Sequence, residues 1–404
     1  MIERFLQNTL LKSLNSNASV CLLGPRQIGK TTLAHDVTAQ LNAIYRDLEN
    51  PRDLDQVRDI GLFVEQYPDK LIILDEVQRT PEIFAPLRGI IDQRRRDGFR
   101  HGQFLFLGSA SLDLLGQTSE SLAGRIAYLE LSGVNILEMM ATNNEALNAN
   151  ALWLRGGFAE SLLSGSDETS LQWREDLIRS YLERDIPQFG FRIPAETLRR
   201  FWTMLAHHQG ALLNASSLAK GLGISGQSVG RYLDILVDLL LLRRLQPWHS
   251  NLGKRLVKSP KIYVRDSGLL HALLGLETME DLLSHPVLGA SWEGFAIENI
   301  ISALQGTRLE PYFYRTQSGA EIDLLLVRQG KPFVAVEVKR ASAPKAGKGF
   351  HITCDDLGIE HRYIVYPGDE AYRLSEQIWV SPLPDLMNAL SARNTMSFKT
   401  SSSA

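Results

Sequence analysis

Runs of consecutive apolar residues, rather than alternating ones, mark the first third of the chain. Val20-Cys21-Leu22-Leu23, Leu71-Ile72-Ile73-Leu74 and Phe104-Leu105-Phe106-Leu107 each read as a strand covered on both faces, as in a buried parallel sheet. Elsewhere the period lengthens to that of a helix. Phe5, Leu6, Leu10, Leu11 and Leu14 recur at helical spacing over residues 3–14, and Leu54 and Val57 do so after the helix-breaking Asn50-Pro51 pair. Ile44-Tyr45-Arg46-Asp47-Leu48 adds a short strand. The expected fold for this part is α/β.

Residues 150–210 are helix-rich. Ser216 or Ser217 would then start a short helix, Gly223-Ile224-Ser225 would turn, and a second helix would begin near Gln227. Leu218, Ile224, Val229 and Leu233 supply a small core, and Leu239 to Leu245 an apolar strand, which together describe a winged helix. If it reads DNA, Gln227, Ser228 and Arg231 begin the recognition helix. Lys254, Arg255, Lys258 and Lys261 lie in a stretch without acids, Asn251 to Ile262, suited to phosphate contacts. The competing expectation is a packing module that touches no DNA, because the second helix also carries Asp234 and Asp238.

A separate α/β pattern occupies residues 285–370: a helix over Trp292 to Ile301, then strands at Tyr312–Arg315, Gly319–Val327, Phe333–Arg340 and Tyr363–Tyr366, with Gly330-Lys331-Pro332 at a hairpin turn. The expected division is 1–140, 150–283 and 284–385, followed by a polar tail, 386–404.

Composition narrows this only slightly. The chain has 404 residues, too many for one ordinary core, and 44% hydrophobic with 22% charged residues is ordinary for a globular protein. A net charge of −3 gives no global signal for nucleic acid, so any DNA contact must come from local patches. Cys21 and Cys354 read as free thiols of a reducing cytoplasm. No run of about 18 apolar residues occurs, so no membrane span is expected.

The chemistry concentrates first in Gly24-Pro25-Arg26-Gln27-Ile28-Gly29-Lys30-Thr31, with Thr32 following, which fits G-x-x-x-x-G-K-[ST] between a strand and a helix. Glycines let successive backbone N–H groups converge on phosphate oxygens, and the helix N-terminus adds positive potential. Lys30 would meet the β/γ-phosphates of ATP, and the Thr31 hydroxyl would ligate Mg2+. Asp75-Glu76 ends a central strand, whose tip faces the phosphate loop in such folds. Asp75 would hold the Mg2+ shell and Glu76 would orient or deprotonate the attacking water. Ser109 or Ser111 would bond the water or γ-phosphate, or else cap the helix that follows. Arg125 would neutralise transition-state charge, in cis or from a neighbouring subunit of an oligomer, or else is ordinary surface.

These motifs, together with Leu74-Asp75-Glu76-Val77-Gln78, Leu107-Gly108-Ser109-Ala110-Ser111 and Ser121-Leu122-Ala123-Gly124-Arg125, resemble the prokaryotic AAA-type ATPases that carry a DUF4143 C-terminal region. The resemblance implies that Lys30, Thr31, Asp75 and Glu76 form the nucleotide site, with the Ser109 region in the sensor position. Many AAA proteins have Asn there.

Farther on, Asp323 stands fourteen residues before Glu337-Val338-Lys339, which resembles the D…E-x-K signature of restriction-endonuclease-like nucleases. Period-two spacing puts Glu337 and Lys339 on one face of a strand. Asp323 and Glu337 would share a Mg2+ with the helix acid Glu293, or alternatively Glu298, and Lys339 would stabilise charge. The alternative is that these are exposed strand charges. The functional expectation is an ATP-hydrolysing switch or motor acting on DNA. Its rivals are an ATP-gated protein-interaction module and an ATP-regulated nuclease.

Overall fold

The computed structural model describes residues 2–109, 122–142, 144, 147–188, 190–249 and 256–391. Ser111, Ser121, Lys254 and Arg255 therefore lie outside the described residues. The chain divides into two compact units, Met1–Val134 with Ile235–Leu241, and Asn135–Asp234 with Leu242–Ala404.

In the first unit, β1 (Ser19–Leu23), β2 (Ala43–Asp47), β3 (Leu71–Asp75), β4 (Phe104–Gly108) and β5 (Ile126–Glu130) form one sheet in the order β2-β3-β4-β1-β5. All its pairings are parallel. The continuous apolar runs explain this: β1, β3 and β4 are buried at every position, so both faces need cover. Helices Lys30–Thr38, Pro51–Val57, Ile60–Glu65 and Phe84–Arg96 connect the strands. Phe104 and Phe106 stack with ring centroids 5.7 Å apart, and Phe84 meets Phe106 edge-on. Full burial of such side chains stabilises by about 1.5–3 kcal/mol each. Parallel register brings the C-terminal tips of β1, β4 and β3 side by side, with Leu23 opposite Gly108 and Leu74 opposite Phe106.

The second unit begins with short helices and the longer Asp167–Ser180, which passes into a π-helical turn over Tyr181–Asp185. Helices Ala195–His207, Ala215–Leu222 and Gly226–Asp238 follow, the last belonging to this unit up to Asp234. The helix starts at Ala215, one or two residues earlier than the sequence suggested, because the Asn214 side chain caps it by accepting from the Ser217 N–H at 3.0 Å. Gly223 turns the chain at φ 66°, and Ser225 caps the next helix through the Ser228 N–H. Strands β6 (Leu242–Leu245) and β7 (Lys261–Val264) pair antiparallel.

A six-stranded mixed sheet completes this unit: β8 (Leu309–Arg315), β9 (Glu321–Arg328), β10 (Lys331–Val338), β11 (His361–Tyr366), β12 (Tyr372–Arg373) and β13 (Ile378–Pro382), in the order β12-β13-β11-β10-β9-β8. The β9–β10 turn is Gln329-Gly330, both at positive φ, rather than Gly330-Lys331-Pro332. Residues 386–390 are not tail. They belong to the helix Leu383–Leu390, which buries Leu386, Met387 and Leu390. Among the described residues no helix is long and apolar enough to cross a membrane.

Candidate nucleotide site and a second acidic pocket

The phosphate loop leaves β1 and enters the helix that starts at Lys30. Two glycines fit it to its surroundings. A Cβ on Gly24 would stand 2.6 Å from the Leu131 carbonyl oxygen, and Gly29 adopts φ 102°, a conformation side chains resist. The Lys30 ammonium folds back onto the loop, donating to the Gly24 and Pro25 carbonyls at 3.0 Å each. Burial lowers its pKa, against the pull of Glu76 and Asp75. Arg26 pairs with Glu49, which also bonds Arg79. Pro25 and Ile28 are buried, while Gln27, Thr31 and Thr32 are exposed.

At the tip of β3, Asp75 Oδ2 accepts from the Thr31 hydroxyl at 2.7 Å and from the Tyr45 hydroxyl at 2.8 Å, while Oδ1 accepts from the Glu76 N–H at 2.8 Å. Thr31 and Asp75 thus converge on one point, where both offer oxygens to a hard cation. The set fits Mg2+. Burial and the neighbouring Asp75 carboxylate raise the pKa of Tyr45, so the phenol stays a donor. Glu76 has φ 54°, a strained backbone for a non-glycine residue. Its Oε2 accepts from Ser109 Oγ at 2.8 Å and from Gln78 Nε2, which also donates to Ser109 Oγ at 2.8 Å. The structure therefore brings Lys30, Thr31, Asp75, Glu76 and Ser109 together. Tyr45 and Gln78 escaped the sequence reading: one lies mid-strand, the other in a turn, and no spacing rule marks either.

Arg125 lies elsewhere. It precedes β5, whose first residue, Ile126, pairs with Ser19 at the start of β1, whereas the phosphate loop leaves the other end of that strand. Its guanidinium donates to both Asp92 carboxylate oxygens at 2.8 Å. The expected role in cis is not supported by this placement.

In the second unit each of the D…E-x-K residues is held by a partner of its own. Asp323 Oδ2 accepts from the Val338 N–H at 2.9 Å. Glu337 pairs with Lys339 at 2.8 Å and accepts from the Gly347 N–H at 3.3 Å. Lys261, expected to meet phosphates, is buried instead. Its ammonium lies 2.6 Å from Glu321, 3.0 Å from Glu293 and 3.8 Å from Asp323. Burial would lower the pKa of Lys261, but Glu293, Asp323 and Glu321 together raise it. Burial and the Glu293 carboxylate push Asp323 up to about 7, with Lys261 opposing them. Tyr263 also donates to Glu293, at 2.6 Å. Glu298, the alternative helix acid, is taken by Arg243 and Arg265. Among the described residues no group of three His, Cys, Asp or Glu side chains is spaced to hold a metal. The Glu293, Asp323 and Glu337 set does not fit a divalent ion. Glu321 was legible in the sequence as the same-face neighbour of Asp323 two residues earlier, yet carried no motif.

Known proteins show the family. An uncharacterized protein of Mycobacterium tuberculosis and one of Mycobacterium bovis are each 42% identical over 378 residues, spanning 94% of this chain and 83% of theirs. The chain belongs to their family. Residues 16–140 match the AAA domain, 147–280 a domain of unknown function, DUF8612, and 288–386 another, DUF4143. The AAA domain match supports ATP binding and hydrolysis. Among solved structures, the Walker-type ATPase of Pyrococcus abyssi is similar at 14% identity and TM-score 0.47, covering 68% of this chain and 96% of that one. The RuvB Holliday junction branch migration motor of Thermotoga maritima is similar at 19% identity and TM-score 0.31, covering 59% and 88%.

Proposed function

We propose that this protein is a Mg2+-dependent ATPase that works as a switch on DNA. The observation that carries the hydrolytic part is the bonded path Thr31–Asp75–Glu76–Ser109, which joins the phosphate loop to a carboxylate aimed by its own neighbours. Lys30 leaves the Gly24 and Pro25 carbonyls for the β/γ-phosphates of ATP. Thr31 and Asp75 hold Mg2+, which neutralises charge on the phosphates. Glu76, fixed by Ser109 and Gln78, orients the attacking water and takes its proton. Hydrolysis measured with Mg2+ should vanish in Lys30→Ala and fall by about 10²–10⁴ in Glu76→Gln. Unchanged rates in both variants would sink the site.

The DNA part rests on helices Ala215–Leu222 and Gly226–Asp238 with the β6–β7 hairpin, a winged-helix layout in which Gln227 and Arg231 are exposed at the start of the second helix. Anisotropy titrations with duplex DNA should weaken in Arg231→Ala and Lys258→Ala, with a shallower salt slope. A second reading, a protein partner in place of DNA, is favoured by Asp234 on the exposed face of that helix, paired with Arg244 at 2.5 Å. No DNA binding at low salt would select it. The C-terminal mixed sheet would be a restriction-endonuclease-like binding domain.

A further inference from the structure

Glu293, Glu321 and Asp323 gather around one cation in the second unit, the Lys261 ammonium. The backbone around Lys261 is pinned on both sides. Residue 261 pairs with Leu245 in the β6–β7 ladder, and Leu212 bridges to it from the other side. The Leu213 N–H donates to the Pro260 carbonyl at 2.8 Å and the Ile262 N–H to Ala211 at 3.1 Å. The side chain then passes over the Phe313 ring, with its nitrogen 5.8 Å from the centroid, and ends among the three acids. Lys261 is 3% exposed, so its ammonium is shielded from solvent and faces the acids.

The rest of the pocket is arranged around this ammonium. Glu321 is shared with Arg315 at 3.1 Å, Glu293 receives the Tyr263 hydroxyl, and Asp323 receives a backbone N–H. Glu337 and Lys339, the other half of the nuclease-like signature, neutralise each other. A buried cation and a divalent metal cannot share one set of carboxylates, because like charges at contact distance repel strongly in a poorly solvated site.

We infer that Lys261 is the resident cation of this pocket, standing where a nuclease-like domain would hold its metal, and that the C-terminal domain engages its ligand without metal-dependent cleavage. Removing the ammonium while keeping its bulk should therefore leave Glu293 and Asp323, a pair rather than a set of three, open to a divalent ion with water completing its shell. Mn2+ is the probe, followed by electron paramagnetic resonance of the free ion in the absence of nucleotide.

Full-length wild type should show no Mn2+ uptake that is sensitive to Asp323→Asn. Lys261→Met should take up Mn2+ in a saturable way, lose that uptake in Lys261→Met/Asp323→Asn, and be stabilised by Mn2+ in thermal melts where wild type is not. Should Lys261→Met fail to fold, Lys261→Met/Glu321→Gln lowers the repulsion and leaves Glu293 and Asp323 for the ion. Mn2+ uptake by wild type that Asp323→Asn abolishes would overturn the inference. So would a folded pair of Lys261 variants that both ignore Mn2+, or wild-type nicking of supercoiled DNA with Mn2+ that Asp323→Ala removes. ATP hydrolysis in the same preparations reports separately on the front site.

Discussion

Ser109 Oγ donates a 2.8 Å hydrogen bond to the Glu76 carboxylate across the gap between the tips of β4 and β3. Gln78 closes the triangle by donating to both. A glutamate at positive φ is thereby held in one orientation by side chains from two strand ends.

Ser109→Ala should lower kcat for ATP hydrolysis by less than Glu76→Gln does, and leave KM for ATP nearly unchanged, if the serine acts through its bond to Glu76. Ser109→Ala/Gln78→Ala should cost less than the product of the two single effects, since the three residues act as a unit. Steady-state kinetics of the four proteins decides it. Additive losses would mean that the triangle is only structural.

Tyr45→Phe removes one of two hydroxyls on Asp75 Oδ2 and should raise the Mg2+ concentration for half-maximal turnover by roughly tenfold, the low end for residues that orient a metal ligand. Turnover at saturating Mg2+ should change little. A loss of kcat with no change in Mg2+ dependence would point to a different role for the phenol.

Arg125→Ala should leave turnover unchanged at protein concentrations where the chain is monomeric, because the residue lies at the far end of β1 from the phosphate loop and is bonded to Asp92. A loss of rate that appears only as protein concentration rises would mark an arginine acting between copies.

Acid stability offers a further test. His271 is buried, with Nδ1 3.0 Å from the Leu154 carbonyl and Nε2 2.7 Å from Ser291 Oγ, which in turn accepts from Trp153. A carbonyl only accepts, so Nδ1 carries the proton and the ring is neutral. Burial pushes its pKa down to about 3, with Arg174 adding to the fall. Because the folded value is depressed, the unfolded chain binds the extra proton. Stability is intact above about 6.5 and should fall by about 1.4 kcal/mol per pH unit from there toward 3. Denaturant unfolding across this range should flatten in His271→Gln, at a cost of about 1–3 kcal/mol at neutral pH for the lost buried bonds. An unaltered slope would show that other groups carry the acid response.

Much of the front unit was legible because its physics is local. A four-residue apolar run can be only a doubly covered strand here, and a glycine loop between strand and helix has one well-known use. Asp75 and Glu76 followed from their place at a strand tip. What stayed hidden depends on partners distant in sequence. Lys261 read as a solvent-exposed cation because its own neighbourhood, Asn251 to Ile262, holds no acid. Its three carboxylates come from residues 293, 321 and 323, on a helix and a strand that only the fold brings near. The in-cis role expected of Arg125 lacks support for the opposite reason: the motif around it was local, but which end of the sheet it occupies was not.

The position of Lys261 also bears on where this polypeptide can be cut. A break near residues 283 and 284 looks natural from the sequence pattern, since a new α/β segment starts there. It would part β7 from β9 and from the helix Leu288–Ala303, stranding three acids without their counter-ion and one ammonium without its anions. The hairpin and the mixed sheet are therefore tied together by charge. A fragment that began at 284 would carry a fault in its interior, whereas one that began ahead of β6 would take its own neutralising charge along.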